Sequence, residues 1–174
     1  MQHSFPRSPL SRSALAVLAA LACASVAHAQ VPASLNPEGE TARFTYAAVG
    51  VQIYECKVAD GKAAWAFVAP EADLFDANGK RVGKHYAGPN WESDDGSKVA
   101  GAVKSRADAT RPGAIPHLLL TTKADAKPGV LASVTSIQRL NTLGGVAPSA
   151  PCTAQDAGKQ ARVYYSADYR FFAK

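Results

Sequence analysis

The chain has 174 residues, of which 47% are hydrophobic, and a formal net charge of +5. A chain of this length fits one domain with a buried core. Its basic residues are scattered rather than clustered, whereas proteins that bind nucleic acids concentrate lysine and arginine where they neutralise phosphates. We therefore expect no nucleic-acid partner.

The chain begins with the features of a secretory leader. Two arginines and no acidic residue precede the apolar run Ala14–Ala24, which is too short for a bilayer that needs about 20 apolar residues. Ala27–Ala29 supplies the small residues that signal peptidase accepts, so we expect a signal peptide over residues 1–29, cleaved after Ala29. The mature protein would then be secreted or periplasmic and have no membrane span. A lipoprotein signal with Cys23 lipidated remains the alternative.

Removal of the leader leaves a predicted single domain of residues 30–174 that contains two cysteines, Cys56 and Cys152. In an oxidising compartment two cysteines allow one intramolecular disulfide. That bridge would close a loop of about a hundred residues, which is worth roughly 4–5 kcal/mol in the chain-entropy model. Two buried free thiols, or a Cys-His metal pair, remain the alternatives.

Turn signals divide the chain into short β-prone segments. Asp60-Gly61 separates two such segments and predicts a two-residue hairpin turn, which needs positive φ at both central positions. Asn78-Gly79 and Asp95-Gly96 predict the same turn twice more. In the last segment, alternate residues from Val163 to Phe171 are apolar, as in a strand with one buried face. Together these patterns predict an all-β domain, an antiparallel β-sandwich or barrel with long loops.

Several segments together resemble one protein family, the secreted bacterial and fungal family catalogued as domain of unknown function 3455. The segments are GVQIYEC (Gly50–Cys56), WAFVAPEADLFD (Trp65–Asp76), GKHYAGPNWESDDGSKVAG (Gly83–Gly101), IPHLLL (Ile115–Leu120), SIQRLNTLGG (Ser136–Gly145) and the closing YYSADYRFF. The resemblance implies a leader, a cysteine pair placed like Cys56 and Cys152, and a β-rich domain, but no established activity. Some fungal relatives carry a dehydrogenase label. This sequence gives that label no support, because it lacks a G-x-G-x-x-G turn between a strand and a helix.

The segment from His85 to Gly101 is the richest in residues capable of chemistry. It combines aromatic, imidazole and carboxylate side chains on a loop interrupted by glycine and proline. Flat apolar surfaces with a few directional polar groups are typical of small-molecule sites, and loops on a rigid β-scaffold are the usual place for them. We therefore predict a site for a small molecule or a glycan. Its predicted residues are His85, Tyr86, Trp91, Glu92, Gln138, Arg139 and Asn141.

Metal binding is the less favoured interpretation of the same segment. His85, Glu92, Asp94, Asp95 and His117 are residue types that bind zinc or copper. No pair of them has the H-x-H or H-E-x-x-H spacing that places two ligands on one face. We therefore predict no metal site and no cofactor.

Two other classes of function remain open. A hydrolase-like or metal-dependent enzyme would use the His85–Asp95 region, but the sequence has no G-x-S-x-G elbow and no other complete catalytic motif. A structural protein that interacts with the cell envelope would need none of these residues in a cleft. The sequence leaves the oligomeric state open.

Overall fold

A computed structural model describes Met1 and residues 31–174. It contains eight strands and two short 3-10 turns, Ala33–Leu35 and Ala154–Asp156. The strands are β1 (Thr41–Ala59), β2 (Lys62–Phe75), β3 (Arg81–Tyr86), β4 (Asn90–Ser93), β5 (Lys98–Ala107), β6 (His117–Ala124), β7 (Ser136–Gly144) and β8 (Gln160–Ala173). The predicted leader and its cleavage site lie outside the described residues, apart from Met1.

The eight strands form one closed antiparallel barrel. Each strand pairs with the next along the chain, and β8 returns to pair with β1. The predicted antiparallel all-β class is confirmed, and of its two predicted forms the structure shows the barrel. Closure gives every strand two hydrogen-bonded neighbours, so the sheet has no free edge.

The three predicted turns all connect consecutive strands. Asp60 and Gly61 have φ values of 50° and 73°, as a two-residue turn between β1 and β2 requires. The two-residue geometry expected at Asn78-Gly79 and Asp95-Gly96 is wrong. Only the glycine has positive φ in each of these pairs, and the connections that contain them are longer than two residues.

The interior of the barrel has a packed end and an open end. The connections β2–β3, β4–β5 and β6–β7 lie at the packed end, where Leu131 and Val134 of the β6–β7 connection are buried in the main core cluster. Aromatic rings fill the layer above them, with the centroids of Phe44 and Phe171 4.8 Å apart. The other four connections surround the open end. The apolar alternation predicted for β8 is confirmed, because its alternate residues from Tyr165 to Phe171 are buried.

Asp95 fastens the β6–β7 connection to the turn between β4 and β5. Its Oδ1 accepts hydrogen bonds from the backbone N–H of Ser97 at 2.9 Å and from the Ser97 hydroxyl at 2.6 Å. Its Oδ2 accepts from the N–H of Val130 at 2.7 Å. The hydroxyl oxygen of Ser97 in turn accepts from the N–H of Leu131 at 3.1 Å. The three hydrogen bonds to the carboxylate lower the pKa of Asp95 from 3.8 to about 2, and the bond from the Ser97 hydroxyl has the largest effect.

The segment that precedes β1 packs against the outside of the barrel. Leu35 is fully buried there and forms a small cluster with Leu119 and Leu140. Nε2 of Gln138 donates to the carbonyl of Leu35 at 2.7 Å. The outer faces of β6 and β7 are therefore covered, which explains how apolar residues occur on both faces of these strands.

Cys56 and Cys152 form a disulfide across 96 residues of sequence, which confirms the predicted pairing. The bond joins the end of β1 to the connection between β7 and β8, at the open end of the barrel. A disulfide fits an oxidising compartment. Within residues 31–174 the structure contains no helix with the length and hydrophobicity needed to span a membrane.

The disulfide is expected to contribute substantially to stability. The double variant Cys56→Ser with Cys152→Ser should have a free energy of unfolding lower by about 2–5 kcal/mol, because the unfolded chain loses its cross-link. Urea unfolding followed by circular dichroism measures this difference. A reductant should destabilise the wild type and leave the double variant unchanged; equal effects of the reductant on both proteins would contradict the prediction.

Asp95→Asn should lower the free energy of unfolding by about 1–2 kcal/mol, because an amide has one acceptor oxygen and its Nδ2 cannot accept the hydrogen bonds that the second carboxylate oxygen receives. The pKa of Asp95 is lower in the folded protein than its usual value of 3.8, so the carboxylate stabilises the fold fully above that value. The difference between wild type and variant should therefore shrink as the pH falls from about 4 towards 2. Urea unfolding from neutral pH downwards measures it.

The matched control is Asp94→Asn. The carboxylate of Asp94 accepts from Nη1 of Arg81 in an exposed ion pair at 2.8 Å, a type of contact worth about 0–1 kcal/mol. Equal destabilisation by the two substitutions would show that Asp95 does not fasten the loop.

Candidate functional site

A cavity of about 620 Å³ opens at the end of the barrel opposite the packed core. All eight strands, and the β3–β4 and β5–β6 connections, contribute to its lining. Its volume lies in the range of about 300–1,000 Å³ that is typical of small-molecule sites. The wall is largely apolar and includes Phe67, Val68, Pro70, Pro89, Val103, Ile115, Pro116, Leu118 and Leu120.

Three rings of the cavity lining, those of His85, Trp91 and Tyr169, pack against one another. The rings of His85 and Trp91 stack with their centroids 4.1 Å apart, and Tyr169 meets them edge-on at 5.0 Å and 5.2 Å. Gly101 makes room for this group, because a Cβ at that position would lie 2.8 Å from Cζ3 of Trp91. His85 and Trp91 are only 3% and 1% exposed, so strand pairing and packing fix their orientation.

His85 is a neutral hydrogen-bonding group. Its Nδ1 lies 2.8 Å from the carbonyl oxygen of Asn90, which requires a proton on Nδ1 and leaves Nε2 as an acceptor. Burial lowers the pKa of His85 to about 3, against the opposing effect of the Asn90 carbonyl. The imidazole therefore carries no charge at neutral pH.

Two buried N–H groups of the cavity lining have no hydrogen-bond partner among the described residues. They are Nε2 of Gln52 and Nε1 of Trp91. Gln52 is only 2% exposed, and an unpaired buried donor of this kind costs about 1–3 kcal/mol. Neither atom has an acceptor within hydrogen-bond distance in the part of the chain that the structure describes.

Arg139 is a cation held in the cavity lining. Its Nε and Nη2 both donate to the carbonyl of Pro116, at 3.0 Å and 2.8 Å. Its charge opposes the rise that burial causes in the pKa values of Tyr54 and Tyr169. Arg106 also lines the cavity, and the lining contains no aspartate or glutamate. Neither arginine forms an ion pair with a residue that the structure describes.

The two tyrosines next to this site remain protonated at neutral pH. The hydroxyl oxygens of Tyr165 and Tyr169 are 3.4 Å apart in the barrel interior. Burial is the main cause that raises both pKa values. Tyr54 donates from its hydroxyl to the carbonyl of Gly145 at 2.6 Å, and this bond ties β1 to the end of β7 at the open end.

Three of the seven predicted site residues line the cavity, namely His85, Trp91 and Arg139. The other four do not: Tyr86, Glu92, Gln138 and Asn141. Successive residues of a strand point to opposite faces, so Tyr86, Glu92 and Gln138, each next to an inward residue, lie on the outside. Asn141 lies where the register of β7 shifts between Leu140 and Leu143, so the alternation that starts at Arg139 does not extend to it. The binding role of all seven residues stays a prediction, and only the three inward residues support the function proposed below.

The four outer residues make local contacts. The hydroxyl of Tyr86 donates to Glu92 at 2.7 Å, which raises the pKa of Tyr86 to about 12. Gln138 bonds to the segment that precedes β1. Asn141 donates to the carboxylate of Asp168 at 2.7 Å. These contacts hold the four side chains on the outside of the barrel, although Oε1 of Gln138 is buried without a partner among the described residues.

The sequence analysis missed several polar residues of the lining, above all Gln52 and Arg106. Gln52 shares a strand face with Tyr54 and Cys56, and a polar residue at an inward position is the signal that points to it. Arg106 gives no such signal, because the irregular register between Val103 and Ser105 reverses the alternation in β5.

The residues considered for metal binding are divided among separate parts of the barrel. His85 lies inside it, Glu92 on its outer face, and Asp95 in a turn at the packed end. His117 pairs with Ala107, which packs against the outer cluster of Leu35. Within the described part of the chain, no group of three or more His, Cys, Asp or Glu residues is placed to hold a metal ion.

Comparison with known proteins identifies the family. A family model described as "Protein of unknown function (DUF3455)" matches residues 37–173. No curated protein and no solved structure matches the chain. The family match extends over all eight strands of the barrel and confirms the resemblance seen in the sequence, so the chain belongs to the DUF3455 family.

Proposed function

We propose that this protein binds one predominantly apolar small molecule in the open end of its barrel. The observation that carries the proposal is the cavity of about 620 Å³, which is closed below by the packed core. Eight-stranded barrels are wide enough to hold one small ligand. The geometry of the described residues thus supports binding more directly than it supports catalysis or a structural role.

The exposed apolar groups at the cavity support the same function. Phe67 is 54% exposed and Val103 60% exposed, although both belong to the cavity lining. A ligand that covered them would gain about 25 cal/mol for each Å² of apolar surface removed from water. A glycan would place many hydroxyl groups against aliphatic side chains that offer no hydrogen bonds. The sequence predicted either a small molecule or a glycan as the ligand, and the apolar wall favours an apolar small molecule.

We also place this binding function outside the cytoplasm, in the periplasm or the medium. The leader features of the sequence and the disulfide between Cys56 and Cys152 support export, since disulfides persist in oxidising compartments.

A fluorescent apolar probe tests the proposed function. The probe 1-N-phenylnaphthylamine should bind the wild-type protein saturably, with one site for each chain. Val103→Trp should weaken binding about tenfold or more, because the larger side chain takes up space in the cavity. Val103 is so exposed that the substitution should leave the fold intact, which circular dichroism checks.

The matched control is Val130→Trp. Val130 is also an exposed valine, but it lies at the packed end, outside the cavity lining. This variant should bind the probe like the wild type. The proposal fails if the wild type shows no saturable binding, or if both tryptophan variants weaken it equally.

A further inference from the structure

We infer that the ligand of this cavity is an amphipathic carboxylate, with its carboxylate paired to Arg139 and its apolar body against the wall. The inference rests on the proposed binding function and adds the chemical class of the ligand. It is carried by the charges and the unpaired donors of the cavity lining.

Arg139 and Arg106 lie in one row of the sheet on the inner side of the barrel. Leu118 of β6 pairs with Arg106 of β5 on one side and with Arg139 of β7 on the other. Two strand spacings separate the backbones of the two arginines, which is about 10 Å. All three residues line the cavity. Two like charges on neighbouring strands of one wall repel each other, and an anion bound near both would relieve that repulsion.

The two arginines of the cavity lining differ in this respect from Arg81 and Arg162. Arg81 bonds to the carboxylates of Asp73 and Asp94, and Arg162 to that of Glu71. In the cavity lining, by contrast, there are two arginines and no acidic residue. A partly buried cation is favoured when an anion accompanies it. Here the anion has to come from the ligand.

Arg139 is already oriented for such a ligand. The carbonyl of Pro116 accepts from Nε and Nη2 on one side of the guanidinium. The guanidinium also bonds to the hydroxyl of Tyr169. The N–H groups that these two partners leave over can bond to a carboxylate. A side chain that is fixed before binding loses less entropy when the ligand arrives.

Two unpaired donors of the lining residues also favour a ligand that carries hydrogen-bond acceptors. Nε2 of Gln52 and Nε1 of Trp91 are buried and have no partner among the described residues. Both residues belong to the cavity lining, and an acceptor is the group that each of the two atoms lacks. The aliphatic wall around Leu118 and Leu120 then accommodates an apolar body.

Decanoate and decan-1-ol test the inference, since they differ mainly in the charged end group. Each is titrated against protein saturated with 1-N-phenylnaphthylamine, and its affinity is obtained from displacement of the probe. The wild type should bind decanoate about tenfold or more tightly than decan-1-ol. This ratio should fall as ionic strength rises, because salt screens the pairing at the open end.

Arg139→Gln should bring the ratio to about one, because decanoate loses its ion pair whereas decan-1-ol has none to lose. Arg139→Lys keeps the charge but loses the two-pronged geometry, so it should retain part of the preference. The matched control is Arg170→Gln. Arg170 follows Tyr169 on β8 and pairs with Gln138 on the outer face, so the variant loses the same charge outside the cavity and should keep the wild-type ratio.

Arg106→Gln provides a second test if the variants at Arg139 do not fold. Arg106 is exposed, and its replacement should reduce the ratio about two- to threefold. Equal affinities of the wild type for the two probes, or an unchanged ratio in Arg139→Gln, would overturn the carboxylate inference alone. If the fluorescent probe binds but decanoate does not displace it, the carboxylate inference also fails. If the fluorescent probe itself shows no saturable binding, the proposed function fails.

Discussion

The pairing of β1 with both β2 and β8 is the constraint on which the structure depends. β1 is long enough to pair with β2 from Ala47 to Ala59 and with β8 from Thr41 to Glu55. Gly50 of β1 faces Ala72 of β2, and a Cβ at Gly50 would collide with the backbone of Glu71 and Ala72. A side chain at this point would push the two strands apart. Without this close approach the sheet would present two free edges, and the interior would have no closed wall.

Closure creates an interior, and the two ends of the barrel determine how it is used. At the packed end, Asp95 and Ser97 hold the β6–β7 connection so that Leu131 and Val134 complete the core. At the open end, the bond of Tyr54 to Gly145 and the disulfide secure the rim without filling it. The β6–β7 connection therefore fills one end of the barrel, whereas the connections at the other end are held at the rim and leave the cavity open. The rim can stay stable while the space between its strands is free for a ligand.

Local signals in the sequence predicted much of the fold. The turn at Asp60-Gly61, the alternation in β8 and the cysteine pair depend on neighbouring residues or on counting, and all three predictions are confirmed. The choice between sandwich and barrel depends on the pairing of β1 with β8, which no local pattern encodes. The site was harder to predict because proximity in sequence does not distinguish the two faces of a strand. His85 and Arg139 point inward while their neighbours Tyr86 and Gln138 point outward.

The cavity lining combines features that weaken the free protein. Donors of Gln52 and Trp91 are buried without partners among the described residues, and Arg139 and Arg106 have no acid beside them. A chain selected only for stability would replace such groups with apolar side chains of similar size. The stabilising contacts of Asp95 lie at the opposite end, and the disulfide lies at the rim. Because this stability is supplied from outside the cavity, the lining is free to keep polar groups that the proposed carboxylate ligand would pair, and binding of that ligand would restore part of the lost stability.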